Sequence, residues 1–83
     1  MNVNGLELIY NESDDLTVED SEYLVQGLDL YRIQELTYPI SDNERYVLYA
    51  NKERGADDAY VDIAMVGTLS AAVNIIKARE RIA

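Results

Sequence analysis

AYVDIAMVGTLSAAVNIIKARERI, residues 59–82, holds the two patterns that decide the fold of this chain. Over residues 59–66 the apolar side chains alternate along the backbone, which predicts a strand with Val61, Ile63 and Met65 on one face. After Gly67 the apolar residues change to a helical spacing, at Leu69, Ala72, Val73 and Ile76. Thr68 directly precedes them and is a residue type that caps helices. The stretch therefore predicts a strand followed by an amphipathic helix.

Three further strands are predicted before this stretch. They cover about residues 4–10, residues 28–36 and residues 45–50, which are rich in apolar, β-branched and aromatic side chains. Residues 38–44 contain the single proline and residues 51–58 contain five charged side chains, so both segments are predicted to be loops. Short connections of this kind favour antiparallel hairpins. We expect an α+β domain, a small antiparallel sheet with the C-terminal helix packed on one face.

Residues 18–26 are open to two interpretations. Thr17 and Asp20 have the spacing of a capping box, and Gly27 follows where a helix often ends, so a short helix is one prediction. The alternative is that residues 22–26 begin a long strand that continues to residue 36. The number of strands is therefore predicted as three to four.

The length and composition exclude several classes of protein. A chain of 83 residues is expected to form one domain, spanning residues 1–83. It contains no Cys and no His, so thiolate chemistry, disulfides and the commonest general base are excluded. Residues 1–4 do not resemble a signal peptide, and no apolar run has the length of a membrane span. We expect a cytoplasmic protein that requires no cofactor.

The acidic residues are concentrated at one end of the chain. The formal net charge is −9, and residues 1–31 contain eight Asp and Glu residues but no Lys or Arg. This surplus argues against direct binding to nucleic acid or to an anionic membrane, because both rely on basic side chains. It predicts instead a surface that binds a protein partner, formed by Glu12, Asp14, Asp15, Glu19, Asp20 and Glu22.

Carboxylates are the abundant groups with catalytic potential in this sequence. Catalysis would need one of them desolvated in a cleft, and adjacent acids in loops are more simply turn formers, so we expect no enzymatic activity. Residues 11–22 also align with a calcium-binding loop of twelve positions. Leu16 lies where that loop needs Gly, and a strand precedes it where a helix is required, so we favour a polar connection without a metal.

Two hypotheses for function follow. The first is an inhibitor or regulator that occupies a basic, nucleic-acid-binding surface of a protein partner, because spaced carboxylates can take the place of phosphates. In size and charge the chain is similar to the small acidic inhibitors, including DNA mimics, that phages use against host nucleases, glycosylases and CRISPR effectors.

The second hypothesis is a protein interaction or assembly domain, in the simplest case a homodimer. Several tyrosines are predicted to lie in strands, and a sheet face without a helix would expose some of them. Tyrosine suits interfaces because it buries a large ring while its hydroxyl group stays polar. Tyr46 and Tyr49 are the residues that we expect in such an interface.

Overall fold

The computed structural model describes residues 1–11, 21–51 and 60–82, and within them the fold has six strands and one helix. The elements are β1 (Asn2–Val3), β2 (Leu6–Asn11), β3 (Ser21–Val25), β4 (Tyr31–Glu35), β5 (Tyr46–Asn51), β6 (Tyr60–Val66) and α1 (Leu69–Glu80). Each strand pairs antiparallel with the next one along the chain. The predicted α+β class is confirmed, but the prediction of three to four strands undercounts the six that form.

One of the missed strands lies at the start of the chain. Asn4 and Gly5 both have positive φ, 51° and 95°, and they form a tight turn between β1 and β2. Two successive residues with positive φ are typical of the hairpin turn that Asn-Gly favours. The predicted strand over residues 4–10 therefore begins as a turn, and the strand itself runs from Leu6 to Asn11.

The other missed strand is β3. It pairs with β2 on one side and with β4 on the other, so the predicted helix over residues 18–26 is wrong from Ser21 to Val25; residues 18–20 lie outside the described residues. A single strand from residue 22 to residue 36 is also wrong, because Gly27, with φ of 80°, turns the chain. Burial of Tyr23 and Val25 among neighbouring strands outweighs the local capping pattern.

The helix α1 forms as the sequence predicts. The Thr68 side chain caps it by accepting a hydrogen bond from the Ala71 backbone N–H at 3.1 Å. Lys77 and Arg79 lie in the last turn, where positive charge complements the helix dipole. The helix buries three side chains against the sheet, those of Ala72, Val73 and Ile76.

The core lies between this helix and one face of the sheet. The buried side chains of that face come from four neighbouring strands and are Leu8, Tyr23, Val25, Tyr31, Ile33, Leu48 and Ala50. Because side chains alternate along a strand, their neighbours in sequence point to the face that the helix does not cover. We call this second face the open face.

In β6 the alternation is interrupted. Leu48 pairs with Ala64 and Tyr49 pairs with Asp62, so Ile63 has no direct partner in β5. An extra residue of this kind is a β-bulge, and it shifts the strand by one position. Ile63 packs against the core, whereas Val61 and Met65 are exposed. Met65 pairs with Val47, whose side chain is on the open face, whereas Val61 pairs with Ala50 on the helix side. The prediction that Val61, Ile63 and Met65 share one face is therefore wrong.

The helix also connects the two edges of the sheet. It follows β6 at one edge and contacts β1 at the other, as well as β4 and β5. At the β1 edge the Asn4 side-chain amide donates hydrogen bonds to Ser70 Oγ at 2.7 Å and to Asn74 Oδ1 at 3.1 Å. Lys77 Nζ donates to the Asn4 carbonyl oxygen at 2.8 Å. These contacts fix the first hairpin to the last helix.

Candidate partner-binding surface

Of the six acidic residues predicted to bind a partner, Glu22 lies within the described residues, and Glu12, Asp14, Asp15, Glu19 and Asp20 lie outside them. Glu22 is in β3 on the open face, where it accepts a hydrogen bond from Asn11 Nδ2 at 3.1 Å. Its carboxylate is 3.9 Å from Arg32 Nη1. The Glu22 carboxylate is half-buried and held by neighbours in the sheet.

The ends of β2 and β3 show where residues 12–20, which contain five of the predicted acidic residues, join the sheet. The chain leaves the sheet at Asn11 and returns at Ser21, and the Tyr10 hydroxyl donates a hydrogen bond to Ser21 Oγ at 3.0 Å. In an antiparallel meander, successive connections alternate between the two ends of the sheet. Asn11 and Ser21 are therefore at the same end as Glu35 and the connection from β4 to β5, residues 36–45. We call this end the acidic end.

The loop of residues 36–45 at the acidic end is firmly anchored. Leu36 N–H donates to the Arg45 carbonyl at 2.9 Å, and Arg45 N–H donates to the Val66 carbonyl at 2.9 Å. Ser41 Oγ donates to Glu44 Oε1 at 2.9 Å within the loop. On this base the loop carries two strongly exposed apolar side chains, Tyr38 at 78% exposure and Ile40 at 70%. The loop predicted over residues 38–44 is confirmed. The exposure of Tyr38 and Ile40 was not predicted from the sequence. The signal for their exposure in the sequence is that both flank Pro39 among turn residues.

Tyr46 and Tyr49, predicted to share an interface, lie on opposite faces of the sheet. Tyr46 is on the helix side, where it packs against the core and its hydroxyl donates to Glu35 Oε1 at 3.2 Å. Tyr49 is on the open face, and its hydroxyl donates to Gln34 Oε1 at 3.0 Å. The structure therefore does not bring the two rings together.

The open face carries a cation–π pair instead. The Arg32 guanidinium lies over the Tyr60 ring, 4.4 Å from its centroid, and the Tyr60 hydroxyl donates to the Asp29 carbonyl at 2.7 Å. Ile9 and Met65 are also exposed on this face. Arg32 and Tyr60 are far apart in sequence and meet only through the strand order, so no local pattern predicts their contact.

The electrostatic environment at the acidic end affects two tyrosines. Burial raises the pKa of Tyr46, and the nearby Glu35 carboxylate raises it further by repelling the phenolate and by accepting the phenol hydrogen bond. Burial also raises the pKa of Tyr23, again with a contribution from Glu35. Both phenols therefore stay protonated to a higher pH than an exposed tyrosine does, because their pKa values are raised.

We expect the substitution Glu35→Gln to lower the pKa of Tyr46 part of the way toward the ordinary value near 10. Because the pKa in the folded state is raised, this tyrosine's contribution to stability is present below pH 10 and is lost as the pH rises through the raised pKa. Ring resonances followed by NMR from pH 8 to 12 measure the shift. An unchanged titration of Tyr46 in the variant would show that Glu35 has no part in it.

The described residues contain no group of three or more acidic side chains placed to hold a metal ion. The predicted polar connection over residues 11–22, with its alternative as a calcium loop, lies almost entirely outside them. Among the described residues, no helix has the length and apolar character needed to cross a bilayer.

Comparison with protein-family models, with curated proteins and with solved structures found no match.

Proposed function

We propose that this chain is a small acidic binding protein without enzymatic activity, which inhibits or regulates a protein partner by occupying its basic, nucleic-acid-binding surface. The observation that carries the proposal is the charge of residues 1–31, which hold eight acids and no base. Carboxylates spaced on a compact domain attract the Lys and Arg side chains that otherwise bind phosphates. The chain would in this way mimic the charge of DNA or RNA.

The fold supports a concentrated acidic surface. The chain segment with the densest acids leaves and rejoins the sheet at the acidic end, where Glu35, Asp42 and Glu44 also lie. Lys77 donates to the carbonyl oxygen of Asn4, which is in the turn between β1 and β2 at the opposite end of the sheet, so its positive charge lies away from the acidic end. The proposed contact is therefore with one end of the sheet.

The nature of the partner follows from the same charges. With a net charge of −9 the chain repels nucleic acids and anionic membranes, so a basic protein is the partner we propose. A cytoplasmic location and an inhibitory role of the kind phages use are part of this proposal. The absence of His and Cys from the sequence supports a role in binding over one in catalysis.

The test is capture of partners from a cell lysate by the immobilised domain. We expect it to recover basic nucleic-acid-binding proteins that elute as the salt concentration rises from 0.05 to about 0.5 M, because salt screens exposed charges. A variant with Glu12→Gln, Asp14→Asn, Asp15→Asn, Glu19→Gln and Asp20→Asn should lose most of this capture. Glu22 is left intact because its carboxylate is held by Asn11 and Arg32.

The matched control neutralises five carboxylates elsewhere, namely Glu53→Gln, Asp57→Asn, Asp58→Asn, Asp62→Asn and Glu80→Gln. Both variants have the same net charge, so a difference between them reports position and not total charge. We expect the control to retain most of the capture. Equal capture by the first variant and the unmodified chain contradicts the proposal.

An assembly domain that uses the open face is the second candidate. Its support is the exposure of Ile9 and Met65, at 49% and 44%, on the face that also carries Tyr49. Binding through apolar surface is strengthened by salt, whereas binding through charge is weakened. The salt elution therefore separates the two candidates, and a salt-resistant homodimer would favour the second.

A further inference from the structure

We infer that the loop of residues 36–45 is an apolar anchor, and that Tyr38 and Ile40 insert into an apolar cleft ringed by Lys and Arg on the partner. The inference rests on the proposed function and specifies where the acidic end makes its contact. Tyr38 and Ile40 are the two most exposed large hydrophobic side chains among the described residues, at 78% and 70%. Only Pro39 separates them in sequence. Exposed apolar side chains that lie close together mark interaction sites, whereas single scattered ones are ordinary.

The loop is held in place independently of any partner. Its two ends are joined by the Leu36 to Arg45 hydrogen bond, and Arg45 is bonded in turn to Val66. Its second half packs against Gly67, where an added Cβ would lie 2.5 Å from the Asp42 carbonyl oxygen. Pro39 restricts the backbone between the two exposed side chains. A loop fixed in this way loses little conformational entropy when it binds. More of the free energy gained by burying its apolar side chains therefore appears as binding affinity.

The charges around the loop determine the occupant. Asp42 and Glu44 are in the loop, Glu35 lies at its base, and Arg45 is its single basic residue. A second copy of this chain would bring the same carboxylates together, and an anionic membrane would repel them. A protein surface with an apolar centre and a basic rim complements both features. Apolar anchors surrounded by polar contacts are the usual arrangement of binding hot spots.

The test uses two labelled peptides and fluorescence anisotropy at low salt. One is a leucine and lysine peptide that forms an amphipathic helix, and the other is oligolysine with the same number of lysines. We expect the unmodified chain to bind the first peptide at least tenfold more tightly. The double variant Tyr38→Ser with Ile40→Ser should lose this preference to within about twofold and keep its affinity for oligolysine.

A second double variant, Met65→Ser with Ile82→Ser, removes exposed apolar side chains elsewhere and should keep the preference. Unfolding curves should show that the Tyr38 and Ile40 variant remains folded, because exposed side chains contribute little to stability. The inference is overturned if the unmodified chain shows no preference, if the Tyr38 and Ile40 variant retains it, or if the control variant loses it equally.

The variant in which the five acids from Glu12 to Asp20 are replaced by their amides separates this inference from the proposed function. If this charge variant loses oligolysine binding, but the unmodified chain does not prefer the leucine and lysine peptide over oligolysine, the anchor is overturned and the acidic contact stands. If the loop gives the preference but the charge variant binds oligolysine as tightly as the unmodified chain, the acidic contact is overturned and the anchor stands.

Discussion

Replacing Ile76 by Ala should lower the free energy of unfolding by about 2–5 kcal/mol, the largest effect that we expect from a single substitution. Ile76 is fully buried between α1 and the sheet. Alanine has the higher helix propensity, so the loss reports packing and the cavity that the substitution leaves. Small domains have a stability on the order of 5–15 kcal/mol, so this change removes much of it. Urea unfolding followed by circular dichroism measures the difference.

The matched control is Ile40→Ala, which removes the same atoms from a side chain that is 70% exposed. Its free energy of unfolding should stay within about 0.5 kcal/mol of the unmodified chain. A loss for Ile76→Ala as small as that of the control would mean that α1 does not cover the sheet as the structure shows.

Replacing Gly67 by Ala should cost about 1–3 kcal/mol, because the added Cβ enters a space that is already filled. That atom would lie 2.5 Å from the Asp42 carbonyl oxygen and 3.1 Å from Asn43 Cα, and both neighbours are backbone atoms. The loop of residues 36–45 must therefore move away from the junction of β6 and α1. Urea unfolding measures the cost, and backbone NMR shifts should change most at residues 41–45.

Gly27→Ala provides the contrast. Gly27 has a φ of +80° and no atom within 4 Å of an added Cβ, so its cost arises from backbone strain alone, about 1–2 kcal/mol. The shifts of the loop of residues 36–45 should be unaffected in this variant. If Gly67→Ala is neutral, or if Gly27→Ala disturbs the loop equally, the close packing of Gly67 against Asp42 is contradicted.

The sequence predicts the parts of this fold in which local pattern and tertiary packing agree. The helix from Leu69, its Thr68 cap and the strand β5 combine apolar periodicity with suitable end residues, and all three form. The strand β3 was missed because Thr17 and Asp20 indicate a helix, whereas the pairing of residues 21–25 with two strands decides the structure. In this segment the burial of Tyr23 and Val25 in the sheet outweighs the local preference for a helix.

The candidate site was predictable only in part. Tyr46 and Tyr49 are three positions apart, and residues an odd number apart in a regular strand point to opposite faces, so their separation follows from the strand itself. The stacking of Arg32 on Tyr60 and the contact of Gly67 with Asp42 depend on strands that meet through the topology. The acidic residues between Glu12 and Asp20 lie outside the described residues, and their role remains a prediction.

The central claim is that the position of the acidic residues, and not the total charge, selects a basic partner. The most direct measurement compares the amount of basic protein captured by the two variants that each lack five carboxylates. Because their net charges are equal, the proposal predicts that neutralising the acids from Glu12 to Asp20 abolishes most of the capture and that the control retains it. Equal loss in both variants, or equal retention, would contradict the claim.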